Sequence, residues 1–203
     1  MKLYGSLTSP FARMSMVTAM ECGLGMRVQL VSTSLNPAQV HAELEALSPI
    51  AKIPVLQSDD GQAIYDSRVI MEYFCYLSSN KILLPDAAAQ RFRVLTLLAM
   101  AQGLGDTAVG LRYETFARPA ATLWSDYAKR QQHRLGAAMQ ELQSTWLTDL
   151  ATLTLGSIAV AVVLAYIDLR QLAPNWRQKY PHLAQWHDKF SERESMAHTV
   201  PQS

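Results

Sequence analysis

Residues 52–70 read Lys52-Ile53-Pro54-Val55-Leu56, then Asp59-Asp60-Gly61, then Ala63-Ile64-Tyr65, and finally Asp66-Ser67-Arg68-Val69-Ile70. Two short apolar runs flank a turn cluster, so 53–56 and 63–65 predict a hairpin. Asp-Ser ahead of an apolar-periodic stretch is a helix start, and 67–76 predicts a helix. Working outward towards the N-terminus, residues 27–31 alternate polar and apolar like a strand, and 37–47 read as a helix. Pro10 suits a first helical turn, because its missing N–H would have no partner there. Phe11, Met14, Val17 and Ala19 then follow at near-helical spacing over 11–22, and Gly23 is a stop signal. Residues 2–5 form the opening strand. The predicted order is β-α-β-α-β-β-α.

Beyond Pro85-Asp86 no strand pattern occurs. Helices are predicted over 87–114, 120–147, 155–172 and 181–190, punctuated by Pro119, Pro174 and Pro181. The fold class is therefore α/β plus all-α. The first domain covers 1–77, a linker 78–86, and a helical bundle 87–203.

The chain has 203 residues, of which 49% are hydrophobic and 17% charged, a globular composition. Lys plus Arg is 18 and Asp plus Glu 17, so there is no global positive field for nucleic acid. Two cysteines, Cys22 and Cys75, cannot build a disulfide framework or a four-cysteine zinc site. Both fall in apolar helices and read as core thiols. The opening residues are too short and polar a run for a secretory leader. The longest apolar run, 158–167, spans about 15 Å as a helix, half a bilayer, and reads as a core helix. No membrane partner and a cytoplasmic location are expected.

Three motifs in this order, Ser9-Pro10-Phe11-Ala12-Arg13, Lys52-Ile53-Pro54-Val55-Leu56 and Asp66-Ser67-Arg68-Val69-Ile70, resemble the cytosolic glutathione S-transferase family. Tyr180-Pro181-His182-Leu183-Ala184-Gln185-Trp186 is similar to the family's P-x-L-x-x-W stretch. The resemblance covers nearly the whole chain and is strongest to small bacterial members. It implies a thioredoxin-like first domain, glutathione as co-substrate, a small electrophile as second substrate, and a homodimer.

The resemblance also implies site residues. Ser9 stands where the family places its thiol-activating residue. Read alone, Ser9 is a helix cap. Glutathione's thiol has a pKa near ~8.5, and lowering it by about two units needs ~2.7 kcal/mol of preference for the thiolate. A charge-assisted hydrogen bond from a hydroxyl supplies much of this, and the helix N-terminus adds to it. Thr8 is the rival hydroxyl, with Tyr4 a more distant one. Serine cannot form the mixed disulfide that Cys-Pro-Phe relatives use. Phe11 belongs to the same motif. Arg13, one helical turn on from Ser9, either raises the potential at the thiolate or is a solvated surface arginine.

Ile53-Pro54 is similar to the family's cis-proline dipeptide. A cis turn leaves the Ile53 backbone free to pair with the cysteinyl unit of glutathione like one step of a sheet ladder. Lys52 is placed to meet the glycine carboxylate. At Asp66-Ser67, a helix cap on the residues alone, the resemblance implies that Ser67 holds the γ-glutamyl carboxylate and Asp66 the amine. Many relatives carry Glu at position 66.

Thr154-Leu155-Gly156-Ser157 is similar to the family's capping motif with Ser157 replacing Asp, which predicts a weaker cap; Leu153 and Ile158 have staple spacing. His182 and His187, five apart, do not share one helix face and make a poor zinc pair. Two rival functions share the fold: a non-catalytic partner of the transcription machinery, similar to stringent starvation proteins, and a glutathione-dependent isomerase or dehalogenase.

Overall fold

Strand β1 (Lys2–Gly5) is central to everything that follows. It pairs in parallel with β2 (Gln29–Ser32) and antiparallel with β3 (Val55–Gln57), and β3 pairs antiparallel with β4 (Ala63–Ile64). The four-stranded sheet has the order β2-β1-β3-β4. Around it lie α1 (Pro10–Glu21), α2 (Ala42–Leu47) and α3 (Ser67–Ser78). The computed structural model describes residues 1–36 and 38–201. The chain divides into two compact units, Met1–Arg91 with Glu194–Ser203, and Phe92–Arg193.

The sheet of the first unit is covered on both faces. Tyr4, Val55 and Leu44 of α2 form one buried cluster, with Val31, Leu35, Leu47 and Ile53 against it. Leu3 and Leu56, paired across the ladder, are fully buried on the other face, where α1 and α3 pack together. The punctuation acts as the sequence predicts. Pro10 sits in the first turn of α1, Gly23 ends that helix at φ +69°, and Gly61 turns the hairpin at φ +88°. The order β-α-β-α-β-β-α is the one observed.

Three elements of this unit differ from expectation, the strand expected over 53–56 forming over Val55–Gln57. The second strand begins at Gln29, because Gly25–Arg27 forms a single 3₁₀ turn held by the Arg27 N–H to Leu24 C=O bond of 2.8 Å. The helix expected over 37–47 forms only over Ala42–Leu47. Asn36 Oδ1 accepts the Ala38 N–H at 2.9 Å and its carbonyl accepts the Gln39 N–H at 3.1 Å, a local turn that competes with helix. His41 Nδ1 then caps α2 by accepting the Leu44 N–H. Pro37 lies outside the described residues.

The second unit is helical. It contains most of α4 (Ala88–Arg112), then α5 (Ser125–Thr145), α6 (Leu147–Leu150), α7 (Leu155–Leu169), α8 (Trp176–Lys179) and α9 (Pro181–Ser191). The helix expected over 87–114 ends at Arg112 in a π turn, Tyr113–Ala117. That expected over 120–147 starts at Ser125, after a 3₁₀ turn, and α6 follows separately. Helix α7 stops near Gln171, whose φ is +53°. With the π turn, α4 is long and apolar enough to cross a membrane by length and composition. Half of its apolar window is buried in the fold, including Leu97, Leu98, Ala101 and Leu104, as in the core helix of a soluble protein.

Helix α7 is almost entirely buried. Ser157 and Thr154 cap it reciprocally: Thr154 N–H donates to Ser157 Oγ at 2.8 Å, and Ser157 N–H to Thr154 Oγ1 at 3.3 Å. The box thus closes without a carboxylate. Gly156 permits the close approach of Leu97, since a Cβ there would lie 2.9 Å from three Leu97 side-chain atoms. Trp186 donates to the Leu150 carbonyl and Tyr180 to the Gly136 carbonyl, tying α9 to α6 and α5. A last helix, α10 (Glu194–Ala197), belongs with the first unit.

Candidate functional site

One edge of the sheet collects the three sequence motifs. The C-terminal end of β1 pairs with the N-terminal end of β3, Tyr4 opposite Val55. Because β4 runs antiparallel to β3, its C-terminal end lies at that same edge. Ser9 follows β1, Ile53-Pro54 precedes β3, and Asp66-Ser67 follows β4. Gly5 closes the distance between the first two. A Cβ on Gly5 would lie 2.7 Å from Ala12 Cβ and 3.9 Å from Pro54 Cβ, so only glycine lets α1 and the Pro54 turn converge there.

Ser9 is the N-cap of α1, half-buried, with φ −82° and ψ 125°. Its Oγ accepts the Ala12 N–H at 3.5 Å, a long bond. Its own proton has no acceptor among the described residues. Thr8 Oγ1 instead shares a 2.8 Å hydrogen bond with Ser6 Oγ. The two hydroxyls are therefore not equivalent: one is occupied, the other caps weakly and retains a donor. Phe11 is half-buried in the first turn of α1, where its carbonyl accepts from Ser15 Oγ.

The Ile53–Pro54 peptide is cis, as the resemblance implies. The Ile53 N–H and C=O have no partner among the described residues, although β3 begins two residues later. This is an unfilled ladder step beside a fixed turn. Ala51, two residues earlier, has φ +47°, unusual for a non-glycine residue. Lys52 is exposed and forms no ion pair among the described residues.

Asp66 is the N-cap of α3 and accepts the Arg68 N–H at 3.1 Å. The Tyr65–Asp66 peptide is also cis. Arg68 NH2 lies 2.9 Å from the Asp66 carboxylate, on the surface. Partial burial alone would raise the pKa of Asp66, but the hydrogen bonds and charge of Arg68 outweigh it and hold the group ionised below the ordinary carboxylate range. Ser67 is buried at the first helical position. Arg68 carries no role in the sequence reading. The signal available was its place two residues after Asp66, inside the quoted motif.

The surface reading of Arg13 is corrected: the residue is 6% exposed. Its Nε donates to Thr199 Oγ1 at 3.3 Å and its NH2 to the Met196 carbonyl at 3.1 Å, which ties α1 to the C-terminal segment. Burial pulls its pKa down from the ordinary arginine value. Cys22 and Cys75 are buried free thiols, but they form a pair: the Cys75 thiol hydrogen-bonds Cys22, which favours ionisation of Cys22 and opposes that of Cys75.

Residues 8–77 match the model of the glutathione S-transferase N-terminal domain, and 125–189 that of its C-terminal domain. An uncharacterised GST-like protein, YibF of Escherichia coli (strain K12), is 32% identical over 99% of this chain and 98% of its own length. The chain belongs to the glutathione S-transferase family. Among solved structures of that family, a glutathione transferase family member from Pseudomonas fluorescens Pf-5 with bound glutathione has a TM-score of 0.96 and 35% identity, covering 100% of this chain and 99% of that one. A further crystal structure of a P. fluorescens Pf-5 family member, with bound S-(propanoic acid)-glutathione, has a TM-score of 0.91 and 34% identity over 100% of both chains. The chain has the family's four-stranded sheet domain and helical domain.

Proposed function

We propose that this chain binds glutathione at the edge of the sheet, stabilises its thiolate through Ser9, and transfers the sulfur to an electrophilic small molecule. The observation that carries the reading is the convergence of an uncommitted Ser9 hydroxyl, an unfilled Ile53 ladder step and the Asp66-Ser67 helix start at one sheet edge. Glutathione in one similar structure supports the ligand, and S-(propanoic acid)-glutathione in another supports the transfer.

The residues fit the peptide by chemistry. Ile53 offers one donor and one acceptor to the cysteinyl unit. Ser67, at the first turn of α3, meets the γ-glutamyl carboxylate where helix N–H groups favour an anion. Asp66 meets the γ-glutamyl ammonium, and Arg68 keeps Asp66 ionised for it. Lys52 meets the glycine carboxylate, and Phe11 packs beside the motif. Ser9 donates to the sulfur, so it acts on the anion more than on the neutral thiol. The thiol proton leaves to solvent, and the thiolate forms the carbon–sulfur bond as the leaving group departs. The reaction uses a reduced thiol, as a cytoplasm supplies. A homodimer is part of the proposal: Val69 and Tyr76 are exposed on α3 at a seven-residue spacing.

A pH titration of bound glutathione, followed by thiolate absorbance, tests the reading. Wild type should titrate below the free thiol, Ser9→Ala closer to it, and Thr8→Ala like wild type. Bound glutathione that titrates as it does in solution would make the protein a glutathione-binding module and not a transferase.

A further inference from the structure

Helix α1 is tied at two points to the C-terminal segment. Near its start, Arg13 Nε donates to Thr199 Oγ1 at 3.3 Å and Arg13 NH2 to the Met196 carbonyl at 3.1 Å. At its last residue, the Glu21 carboxylate accepts a hydrogen bond from the Ser195 hydroxyl. Ser195 stands at Glu21 and Thr199 at Arg13, so the segment runs antiparallel along α1. The Thr199 hydroxyl donates its proton to the Ser195 carbonyl at 2.7 Å, which leaves an oxygen lone pair for the Arg13 Nε–H. Arg13, Ser195 and Thr199 are all buried, where hydrogen bonds are electrostatically stronger than in water.

Arg13 also reaches the candidate site. Its backbone N–H donates to the Ser9 carbonyl at 3.0 Å, closing the first turn of α1 on the residue that carries the hydroxyl. Ser9 Oγ accepts the Ala12 N–H at 3.5 Å, a bond too long to fix the hydroxyl. The orientation of α1 therefore decides where that hydroxyl points. Ala12, Met14, Val17 and Ala19 bury the apolar side of the helix, and apolar burial is non-directional. The two ties are directional. Arg13 and Glu21 are eight positions apart, about 12 Å along the helix, so together they oppose its rotation about its own axis. With Cα atoms about 2.3 Å from the axis, a side-chain oxygen about 4 Å out moves about 1 Å for a rotation of about 15°. A misplacement of about 1 Å is enough to cost about two orders of magnitude at a reacting group.

We propose that segment 194–200 is a positioning strap for the thiolate site, with Arg13 and Thr199 as positioning residues. The strap fixes the rotation of α1 and so aims the Ser9 hydroxyl at the glutathione sulfur. Neither residue needs to touch glutathione. This rests on the reading of Ser9 as the thiolate donor, and adds that its aim is set by a residue 186 positions further along the chain than Arg13.

The test is the pH titration of bound glutathione, followed by thiolate absorbance, on the whole protein. Wild type should titrate below the free thiol. Thr199→Val has the same shape without the hydroxyl. It should raise the bound pKa by about half a unit to one unit, a roughly three- to tenfold loss of thiolate at pH values below it. Thr199→Ser, which keeps the hydroxyl, should titrate like wild type. Arg13→Lys keeps the charge but not the two-point fork, so it should shift as Thr199→Val does. Added to Ser9→Ala, Thr199→Val should shift the titration no further, because the hydroxyl it aims is gone. Ser195→Ala cuts the tie at Glu21 and replaces Thr199→Val if that variant fails to fold. A Thr199→Val protein that melts lower yet titrates like wild type would have lost a structural contact alone, and the strap would be overturned. Arg13→Lys titrating like wild type would overturn it too, as would a shift that persists in full without the Ser9 hydroxyl. These three failures leave the thiolate reading standing. Wild-type glutathione that titrates as it does in solution overturns that reading, and the strap with it.

Discussion

Ser67 and His187 are both buried, yet substitution should affect different properties. Ser67→Ala leaves the γ-glutamyl carboxylate short of one charge-assisted donor. Calorimetry should show glutathione binding weakened by about 1–3 kcal/mol with the fold retained. Unchanged affinity would remove Ser67 from the site. His187 matters to stability. Its Nε2 faces the Ala161 carbonyl at 3.0 Å and its Nδ1 faces Arg177 NH2 at 3.1 Å. Arg177 can only donate, so Nδ1 accepts and Nε2 carries the proton in a neutral ring. Burial first, and then the Arg177 charge, depress its pKa below the ordinary 6.5. Between the depressed value and 6.5 the unfolded chain binds more protons than the folded one. Stability is therefore full above about 6.5 and falls as pH drops through that window. Melting temperatures from pH 8 to 5 should show this slope in wild type and a flatter one in His187→Gln, which keeps a donor and an acceptor. Parallel slopes would assign the titration to other groups.

At the scale of elements, the start of α7 concentrates two constraints. Ser157 is fully buried and both accepts the Thr154 N–H and donates to the Thr154 carbonyl at 3.0 Å. Ser157→Ala should cost about 1 kcal/mol, within the range for lost caps, and lower the melting temperature by a few degrees. A neutral substitution would show that the reciprocal bonds contribute nothing beyond what water offers. Gly156→Ala drives a methyl into Leu97 Cβ and Cγ, atoms close to the backbone that cannot swing aside. The expected cost is about 1–3 kcal/mol from overpacking. An equally stable alanine variant would mean that α4 and α7 can separate without loss. Local signals predicted where α7 begins, because capping depends on residues within one turn. They did not predict where α2 begins, because the Asn36 turn and helix compete within a few residues at similar energy.

At the scale of the molecule, the C-terminal segment is attached through Arg13. The guanidinium spans 183 and 186 positions of sequence to reach Met196 and Thr199. Ser195 adds a hydroxyl bond to Glu21 at the end of α1. Arg13→Ala removes both guanidinium bonds and leaves the Met196 carbonyl with the 3.3 Å bond from Thr199 Oγ1, at about 1–3 kcal/mol. Hydrogen exchange should quicken at the His198 N–H, which bonds Glu194 C=O at 2.9 Å, while the sheet amides of β1 stay protected. Unaltered exchange at His198 would show that other contacts hold the segment. The sequence reading assigned 194–203 to the helical domain, whereas the structure groups it with the first unit.

What the sequence determined by itself is the set of features governed by neighbours in the chain. Pro10, Gly23, Gly61, Asp66 and Thr154 each act within about one turn, so element order and most boundaries were readable from them. The three motifs were readable for the same reason, and the cis peptide before Pro54 followed from the resemblance they carry. Only the tertiary structure decided which groups were already occupied. Thr8 is engaged by Ser6 while Ser9 keeps a donor, Arg68 sits on Asp66, and Arg13 is spent on the far end of the chain. Periodicity states which side chains face inward. It does not state which partner each polar group meets, because that depends on how distant elements pack, and packing is a property of the folded whole.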